Sequence, residues 1–253
     1  MGGGGRRRPP QQKRDALCGL AVAFPDRSRY VRIVNWNCSR GKHEVKLPPL
    51  LRLRPDLAVL QETPRPTSRI AETQLWHGTK DNQGLLILSF GKWRVEQADA
   101  PHPELQFFLP AHVIGPKERF NLLAVWTKPG TRHPLYVTTL LDGLRHYERF
   151  IGSAPTVVIG DFNVYWHRDD DANQRLDLIS AYHTFFNVDV GSEKHATLHF
   201  YWQEERPFHF DYCLIPRVWR RRLKSVEVGA YNQWTGARLS DHCPVIIDLS
   251  DRR

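Results

Sequence analysis

The stretch Val157-Val158-Ile159-Gly160-Asp161-Phe162-Asn163 places a carboxylate and an amide directly after a short apolar run. Branched apolar residues closed by a glycine predict a buried β-strand over 156–159. Asp161 and Asn163 would then stand at the end of this strand, where a packed sheet holds side chains in fixed positions. Taken alone, the Asp-Phe-Asn sequence is better explained as an Asx-turn that follows a strand.

Polar residues border strand-like runs at four more places. Asn35 to Asn37 and Gln61 to Thr63 follow such runs, Asp211 lies within one, and Ser240 to His242 precede one. Each has an ordinary alternative. Asn37 would close a turn, Glu62 would cap a helix, and Asp241 with His242 would form an exposed pair. The repetition of one pattern at five strand ends indicates instead that these side chains share one site.

The polar residues at these strand ends include the ligands that a hard cation prefers. The oxygen atoms of Glu62, Asp241 and Asn37 suit Mg²⁺ or Mn²⁺ rather than zinc. Such an ion polarises a phosphoryl oxygen and lowers the pKa of bound water. The sequence therefore predicts a divalent metal site that serves phosphoester chemistry.

The remaining polar residues fit acid–base roles in the same reaction. His242 would donate to a phosphate oxygen as negative charge builds in the transition state. Asp211 would orient its imidazole and favour the charged form. Asp161 would accept a proton from the attacking water, with Asn163 orienting that water.

Hydrophobic periodicity predicts about ten short strands and three or four helices, without the strict alternation of a Rossmann sheet. Two mixed β-sheets packed face to face, with helices outside, fit this mixture, although the choice rests partly on the resemblance given below. The predicted helices cover 42–53, 139–152 and 173–187, the last with Asp170 or Asp171 as its cap. The predicted strands cover 29–36, 57–61, 84–90, 105–114, 120–127, 156–159, 199–202, 209–215, 222–228 and 244–249.

The formal net charge of +9 is concentrated in two basic clusters. The first lies in residues 1–28, which are rich in Gly, Arg and Pro and are predicted to be a disordered tail before a folded domain over 29–253. The second lies in residues 217–224, where Arg220 and Arg221 are candidates for phosphate contacts and the Trp219 indole for stacking on a base. The alternative is a solubilising tail and a solvated surface.

Cysteine usage and hydropathy limit the class of protein. The four cysteines form no C-x-x-C pair, which argues against a zinc ribbon or a thioredoxin-like motif. Three of the four cysteines, which are Cys18, Cys38, Cys213 and Cys243, lie in apolar segments, where a free cysteine behaves as a small buried hydrophobe. Because neither an export signal nor a membrane span is recognised, we expect a cytoplasmic monomer with no membrane partner.

Together, the strand-end segments resemble the motifs of the endonuclease/exonuclease/phosphatase superfamily, which includes exonuclease III and the apurinic endonucleases. The overall look is that of a small prokaryotic member. The matching segments are 33–37, 55–63, 160–163, 211–212 and 240–244, in the order of the family. The resemblance implies a four-layer α/β/β/α sandwich. It also implies a metal bound by Glu62 with Asn37 and Asp241 nearby, a water-positioning pair of Asp161 and Asn163, and a dyad of Asp211 and His242.

The chain departs from the family pattern at two positions. Trp126 stands where relatives place a tyrosine or a histidine, and its indole has no useful acid proton. Ser39 stands where apurinic endonucleases often carry an aspartate, which puts a second metal in doubt.

Three functions follow as hypotheses. The first is a metal-dependent nuclease acting on DNA or RNA, because phosphate contacts by basic residues dominate nucleic-acid affinity. The second is a phosphatase or phosphodiesterase for a small phosphate ester such as a nucleotide, a sugar phosphate or an inositol phosphate. The third, a binding module without catalysis, is the weakest, because all the principal motif residues are present.

Overall fold

The computed structural model describes residues 30–99, 102, 105, 107–128, 135–167, 170–188, 196–198 and 208–251. The predicted tail over 1–28 and the predicted strand over 199–202 lie outside these residues.

In chain order, the strands are β1 (Tyr30–Asn37), β2 (Leu57–Thr63), β3 (Thr73–Lys80), β4 (Gln83–Ser89), β5 (Arg94–Gln97), β6 (Phe108–Ile114), β7 (Arg119–Trp126), β8 (Thr156–Asp161), β9 (Leu178–Ser180), β10 (Asp211–Pro216), β11 (Leu223–Val228) and β12 (Val245–Ser250). The α-helices are α1 (His43–Arg52), α2 (Tyr136–His146), α3 (Glu148–Ser153), α4 (Asp171–Arg175) and α5 (Ala181–Phe186). Two 3-10 helices span Arg217–Arg222 and Tyr231–Gln233.

The strands form two six-stranded sheets, with orders β11-β12-β1-β2-β4-β3 and β5-β6-β7-β8-β10-β9. β1 runs parallel to β2 and β7 runs parallel to β8, whereas the other pairs are antiparallel. Both sheets are therefore mixed, as predicted.

Alternation along the strands builds the layers, because successive side chains of a strand point to opposite faces. In β1, Val31 and Ile33 join the core between the two sheets, while Val34 packs with Leu50 of α1. In the second sheet, Leu123 packs with Leu140 of α2 on the outer face. The predicted sandwich of helix, sheet, sheet and helix is thus confirmed, and each fully buried aliphatic side chain stabilises it by about 1.5–3 kcal/mol.

Several local predictions were wrong or incomplete. The helix predicted over 139–152 is two helices, α2 and α3, which meet at Tyr147. The helix predicted over 173–187 is two short helices, α4 and α5, separated by β9. Asp177 ends α4 with a φ of 51°, and β9 then pairs with β10, so pairing in the sheet overrides helical periodicity. β3 and β5 escaped prediction because they are edge strands with few buried side chains. The cap was predicted correctly, since Asp170 accepts from the Ala172 N–H.

Strand direction brings the predicted site residues to one edge of the sandwich. Asn37 ends β1 beside Gln61 of β2, and Asp161 ends β8. Because β10 runs antiparallel to β8, Asp211 at its start lies opposite Asp161. His242 lies just before β12, which is antiparallel to β1. None of the described helices is long and apolar enough to cross a membrane.

Candidate active site

The two sheets are joined at this edge by a hydrogen bond between their central strands. Asn37 Nδ2, at the end of β1, donates to Asp161 Oδ2, at the end of β8, over 2.9 Å. The same Nδ2 lies 3.3 Å from Glu62 Oε1 at the end of β2. The Asn37 amide therefore links the predicted metal ligand to the predicted base, and the five strand ends form one site.

Asp211 and His242 form a buried dyad. His242 Nδ1 is 2.7 Å from Asp211 Oδ2, and the two residues are 4% and 0% exposed. Asp211 Oδ1 accepts from Asn35 Nδ2 over 3.3 Å, and Asn35 Oδ1 accepts from Gln61 Nε2 over 2.8 Å. The two amides hold the carboxylate in place, a role that the sequence analysis did not assign to them.

The dyad determines the charge of the imidazole. Burial alone would lower the pKa of His242, but the charge of Asp211 and its hydrogen bond outweigh burial and raise the pKa to about 10. At neutral pH the ring is therefore an imidazolium, with Nδ1 bonded to Asp211. Its Nε2 points to the other carboxylate, 4.0 Å from Asp161 Oδ2.

Asp161 is held in three ways and is buried at 1% exposure. Besides Asn37, it accepts from the Asn163 N–H and from Asn163 Nδ2, each over 2.9 Å. Burial, followed by repulsion from Asp211, raises the pKa of Asp161 to about 7. Asp161 and Asn163 thus form the Asx-turn, and the same turn serves the predicted function. It fixes Asn163, which has a φ of 52°, against a carboxylate that is able to take a proton near neutral pH.

Glu62 and Asp241 border the buried residues on the solvent side. The Glu62 side chain is 23% exposed and accepts from Gln83 Nε2 over 3.1 Å. Asp241 follows Ser240, whose Oγ donates to the Asn37 carbonyl oxygen over 2.6 Å and so ties this segment to β1. Within the described residues, no three His, Cys, Asp or Glu side chains form a ready metal cage. Asn37 turns its Nδ2 toward Glu62, and its Oδ1 accepts from the Ser39 N–H over 2.9 Å. The hard oxygen ligands that fit Mg²⁺, an ion that keeps several waters in its shell, are therefore the carboxylates of Glu62 and Asp241.

Arg220 and Arg221 are not brought to this edge. They follow β10 at its far end, whereas Asp211 begins that strand, and six residues at about 3.3 Å each separate the two ends by roughly 20 Å. The prediction that Trp219 stacks on a base was wrong. This indole is 6% exposed, packs in the core between the sheets, and carries the Arg222 guanidinium 4.0 Å above it.

Several further polar and aromatic side chains are buried in the fold. His209 is 1% exposed and packs against Tyr182 and Tyr212, away from solvent. Trp126 is 2% exposed within the core between the sheets. Cys38, Cys213 and Cys243 are buried free thiols.

Comparisons with known proteins identify the fold through structure and not through sequence. A scan against protein-family models gives no match, and a search of curated proteins finds no similar sequence.

Among solved structures, the AP endonuclease LMAP from Leishmania major matches with a TM-score of 0.67 and 13% identity, over 90% of both chains. The 3′ phosphatase NExo from Neisseria, bound to a product DNA hairpin, matches with a TM-score of 0.64 and 18% identity, over 87% of this chain and 99% of the other. An AP endonuclease from Archaeoglobus fulgidus matches with a TM-score of 0.62 and 16% identity, over 88% and 100%. With its two packed mixed sheets, this chain has the fold of the endonuclease/exonuclease/phosphatase proteins.

Proposed function

We propose that this chain is a divalent-metal-dependent phosphodiester hydrolase, and that it is a nuclease acting on DNA or RNA by attack of water on phosphorus. The observation that carries the proposal is the buried network in which Asn37 joins Glu62 to Asp161, beside the dyad of Asp211 and His242. Burying two carboxylates and an imidazole side by side costs free energy, because the charged groups lose their hydration. A purely structural role would not require this cost, so the buried cluster favours a catalytic role.

Glu62 and Asp241 would hold Mg²⁺ or Mn²⁺, with the Asn37 amide beside the ion. When bound, the ion would polarise a phosphoryl oxygen and lower the pKa of water. Asp161, the other carboxylate that accepts from Asn37 Nδ2, would lie outside the metal shell and serve in proton transfer.

His242 and Asp161 would act on the same phosphate from neighbouring positions, since His242 Nε2 lies 4.0 Å from Asp161 Oδ2. His242 Nε2 would donate to a phosphoryl oxygen, because Asp211 holds Nδ1 and keeps the ring charged. Asp161 would accept the proton of the attacking water, because its pKa of about 7 places it near neutral pH, the range in which a general base works well. Asn163, fixed by the turn, would orient that water.

Trp126 offers no acid for the leaving group. Its indole N–H is a donor only and its ring is buried. We propose that the proton of the leaving oxygen comes from water.

The structural neighbours favour nucleic acid as the partner, because two are AP endonucleases and one is a 3′ phosphatase with a DNA product. We propose that Arg220 and Arg221 contact the phosphate backbone of a long nucleic acid at the far edge of the sandwich. There, Arg221 lines a cleft of about 920 Å³ together with Lys117, Arg119 and Lys224. Phosphate removal from an ester is the second candidate, favoured by the 3′ phosphatase.

The test is a substrate panel with Mg²⁺, Mn²⁺ or a chelator, covering plasmid, single-stranded, abasic and RNA substrates as well as small phosphate esters. Glu62→Gln and His242→Ala should fold and lose at least about a hundredfold of the metal-dependent hydrolysis. Glu148→Gln, an exposed glutamate of α3 that pairs with Arg175, is the matched control and should keep full activity. Full activity in either site variant would remove the assignment.

A further inference from the structure

Lys128, which the sequence analysis did not single out, lies at the same edge just after β7. Its Nζ is 3.4 Å from Gln83 Oε1, and the other end of the Gln83 amide donates to Glu62 Oε2 over 3.1 Å. The ammonium sits 4.4 Å from the ring centre of Trp126 and 5.4 Å from that of Phe107. These rings hold the charge in place beside the proposed metal ligand, since a cation is attracted to an aromatic face.

Two more cations lie near this network. Arg40 Nε is 3.8 Å from Glu62 Oε2, and the Arg40 N–H donates to the Glu62 carbonyl oxygen over 3.1 Å. Lys80 lies opposite Gln83 in the backbone pairing of β3 and β4. Arg40 thus contacts Glu62, whereas Lys80 and Lys128 neighbour Gln83, and these three residues are here called the rim cations.

The rim cations carry more positive charge than Glu62 can balance. Burial, and then the charges of Arg40 and Lys80, lower the pKa of Lys128, whereas Glu62 raises it. The folded chain therefore brings like charges together at a cost. The ion pair of Arg40 with Glu62 does not offset this repulsion, because the Arg40 side chain is 72% exposed and solvent screens the pair. An anion bound among the three cations would offset it.

We propose that Arg40, Lys80 and Lys128 form a subsite for a second phosphate, next to the phosphate that is cleaved. The proposal rests on the proposed function, because it places the reacting phosphate at Asp161 and His242. Cations that hold a neighbouring phosphate select a substrate with several phosphodiesters in a row, and they carry no base preference. The preferred substrate is then a nucleic-acid strand rather than an isolated phosphate ester.

The kinetic test compares a short single-stranded oligonucleotide with bis(p-nitrophenyl) phosphate, which has one phosphate. Lys128→Met should raise KM for the oligonucleotide roughly tenfold, the scale of one charge-assisted hydrogen bond. The loss of kcat/KM in Lys128→Met should be several-fold larger on the oligonucleotide than on the single-phosphate ester. Lys128→Arg keeps the charge and should retain most of the wild-type kcat/KM on the oligonucleotide. Lys92→Met removes an exposed charge beyond β4, at the far edge, and is the matched control. Equal losses on both substrates, or an equal loss in the control, would overturn the subsite.

Equilibrium binding gives a result that does not depend on turnover. In the Glu62→Gln background, Lys128→Met should weaken binding of the labelled oligonucleotide roughly tenfold. The slope of log affinity against log salt should become shallower by about 0.7 for each rim cation removed. Unchanged affinity and an unchanged salt slope would refute the subsite, whether or not the chain hydrolyses either substrate. Failure to hydrolyse both substrates would count against the proposed function alone.

Discussion

Asp211→Asn, a nearly isosteric change, tests whether the charge of Asp211 keeps the His242 ring protonated. Asp211 is fully buried, accepts from Asn35, and contacts His242 Nδ1 at 2.7 Å. An amide keeps the shape but removes the charge, and its N–H would donate to Nδ1 of a neutral ring. The variant should therefore fold and hold His242 as a neutral imidazole.

The magnitude follows from the pKa of His242, which is about 10 in place of the ordinary 6.5. At 1.36 kcal/mol per pKa unit, this difference corresponds to roughly 5 kcal/mol of preference for the charged ring. Asp211 supplies the two largest contributions that raise the pKa, while burial opposes them. Without Asp211, we expect the pKa of His242 to fall to near or below 6.5, and hydrolysis at pH 7.5 to fall roughly 10²–10³-fold.

The raised pKa of His242 also determines how the free energy of unfolding changes with pH. A histidine with a raised pKa contributes stability that is complete below pH 6.5 and is lost as the pH rises through about 10. The free energy of unfolding of the wild type should therefore exceed that of Asp211→Asn most near pH 6.5, and the gap should narrow towards pH 10.

The assay is a proton–carbon NMR titration of the histidine rings, with the His242 signal assigned from a His242→Gln variant, and chemical denaturation at each pH. Asp142→Asn, which alters an exposed ion pair with Arg145, is the control and should leave the His242 titration unchanged. A His242 pKa that stays near 10 in Asp211→Asn would refute the reasoning.

Three further predictions concern the strand end, the base and the tail. Gly160→Ala should destabilise the fold by at least about 3 kcal/mol and reduce activity. A Cβ at this position of β8 would overlap the Val125 carbonyl oxygen of β7 and displace Asp161. Chemical denaturation measures the loss of stability, and a stable, active variant would contradict the prediction. Asp161→Asn should lose hydrolysis. Its free energy of unfolding relative to the wild type should rise by at most about 4 kcal/mol between pH 4 and pH 8, because the wild-type carboxyl, with a pKa of about 7 in place of 3.8, loses stability across that range. The amide N–H₂ also faces donors of Asn37 or Asn163, which adds a cost that does not depend on pH. A stability difference independent of pH would exclude the titration of Asp161 as a cause. Deletion of residues 1–14 should weaken DNA binding at low salt and leave turnover of a small phosphodiester unchanged, and unaffected DNA binding would show that the tail is only an extension.

Much of the fold, and the position of the candidate site residues at strand ends, could be predicted from the sequence because both depend on neighbouring residues in the chain. An apolar strand such as 157–160 followed by Asp161 is visible in one window, and the alternation of Val31 and Ile33 with Val34 assigns faces without tertiary information. The edge strands β3 and β5 were missed because they lack such a local pattern. β5 has one buried side chain, so its pairing with β6, and not its composition, makes it a strand.

By itself, the sequence determined which strands end in carboxylate, amide or imidazole, since that order is covalent. Only the tertiary structure decided which ends meet. Strand order and direction place Asp211 opposite Asp161 but carry Arg221 to the far edge, roughly 20 Å away. They also gather Arg40, Lys80 and Lys128 around Glu62 from separate segments. Charges interact through space and not along the chain, so the pKa values and the cationic rim exist only once the two sheets are packed.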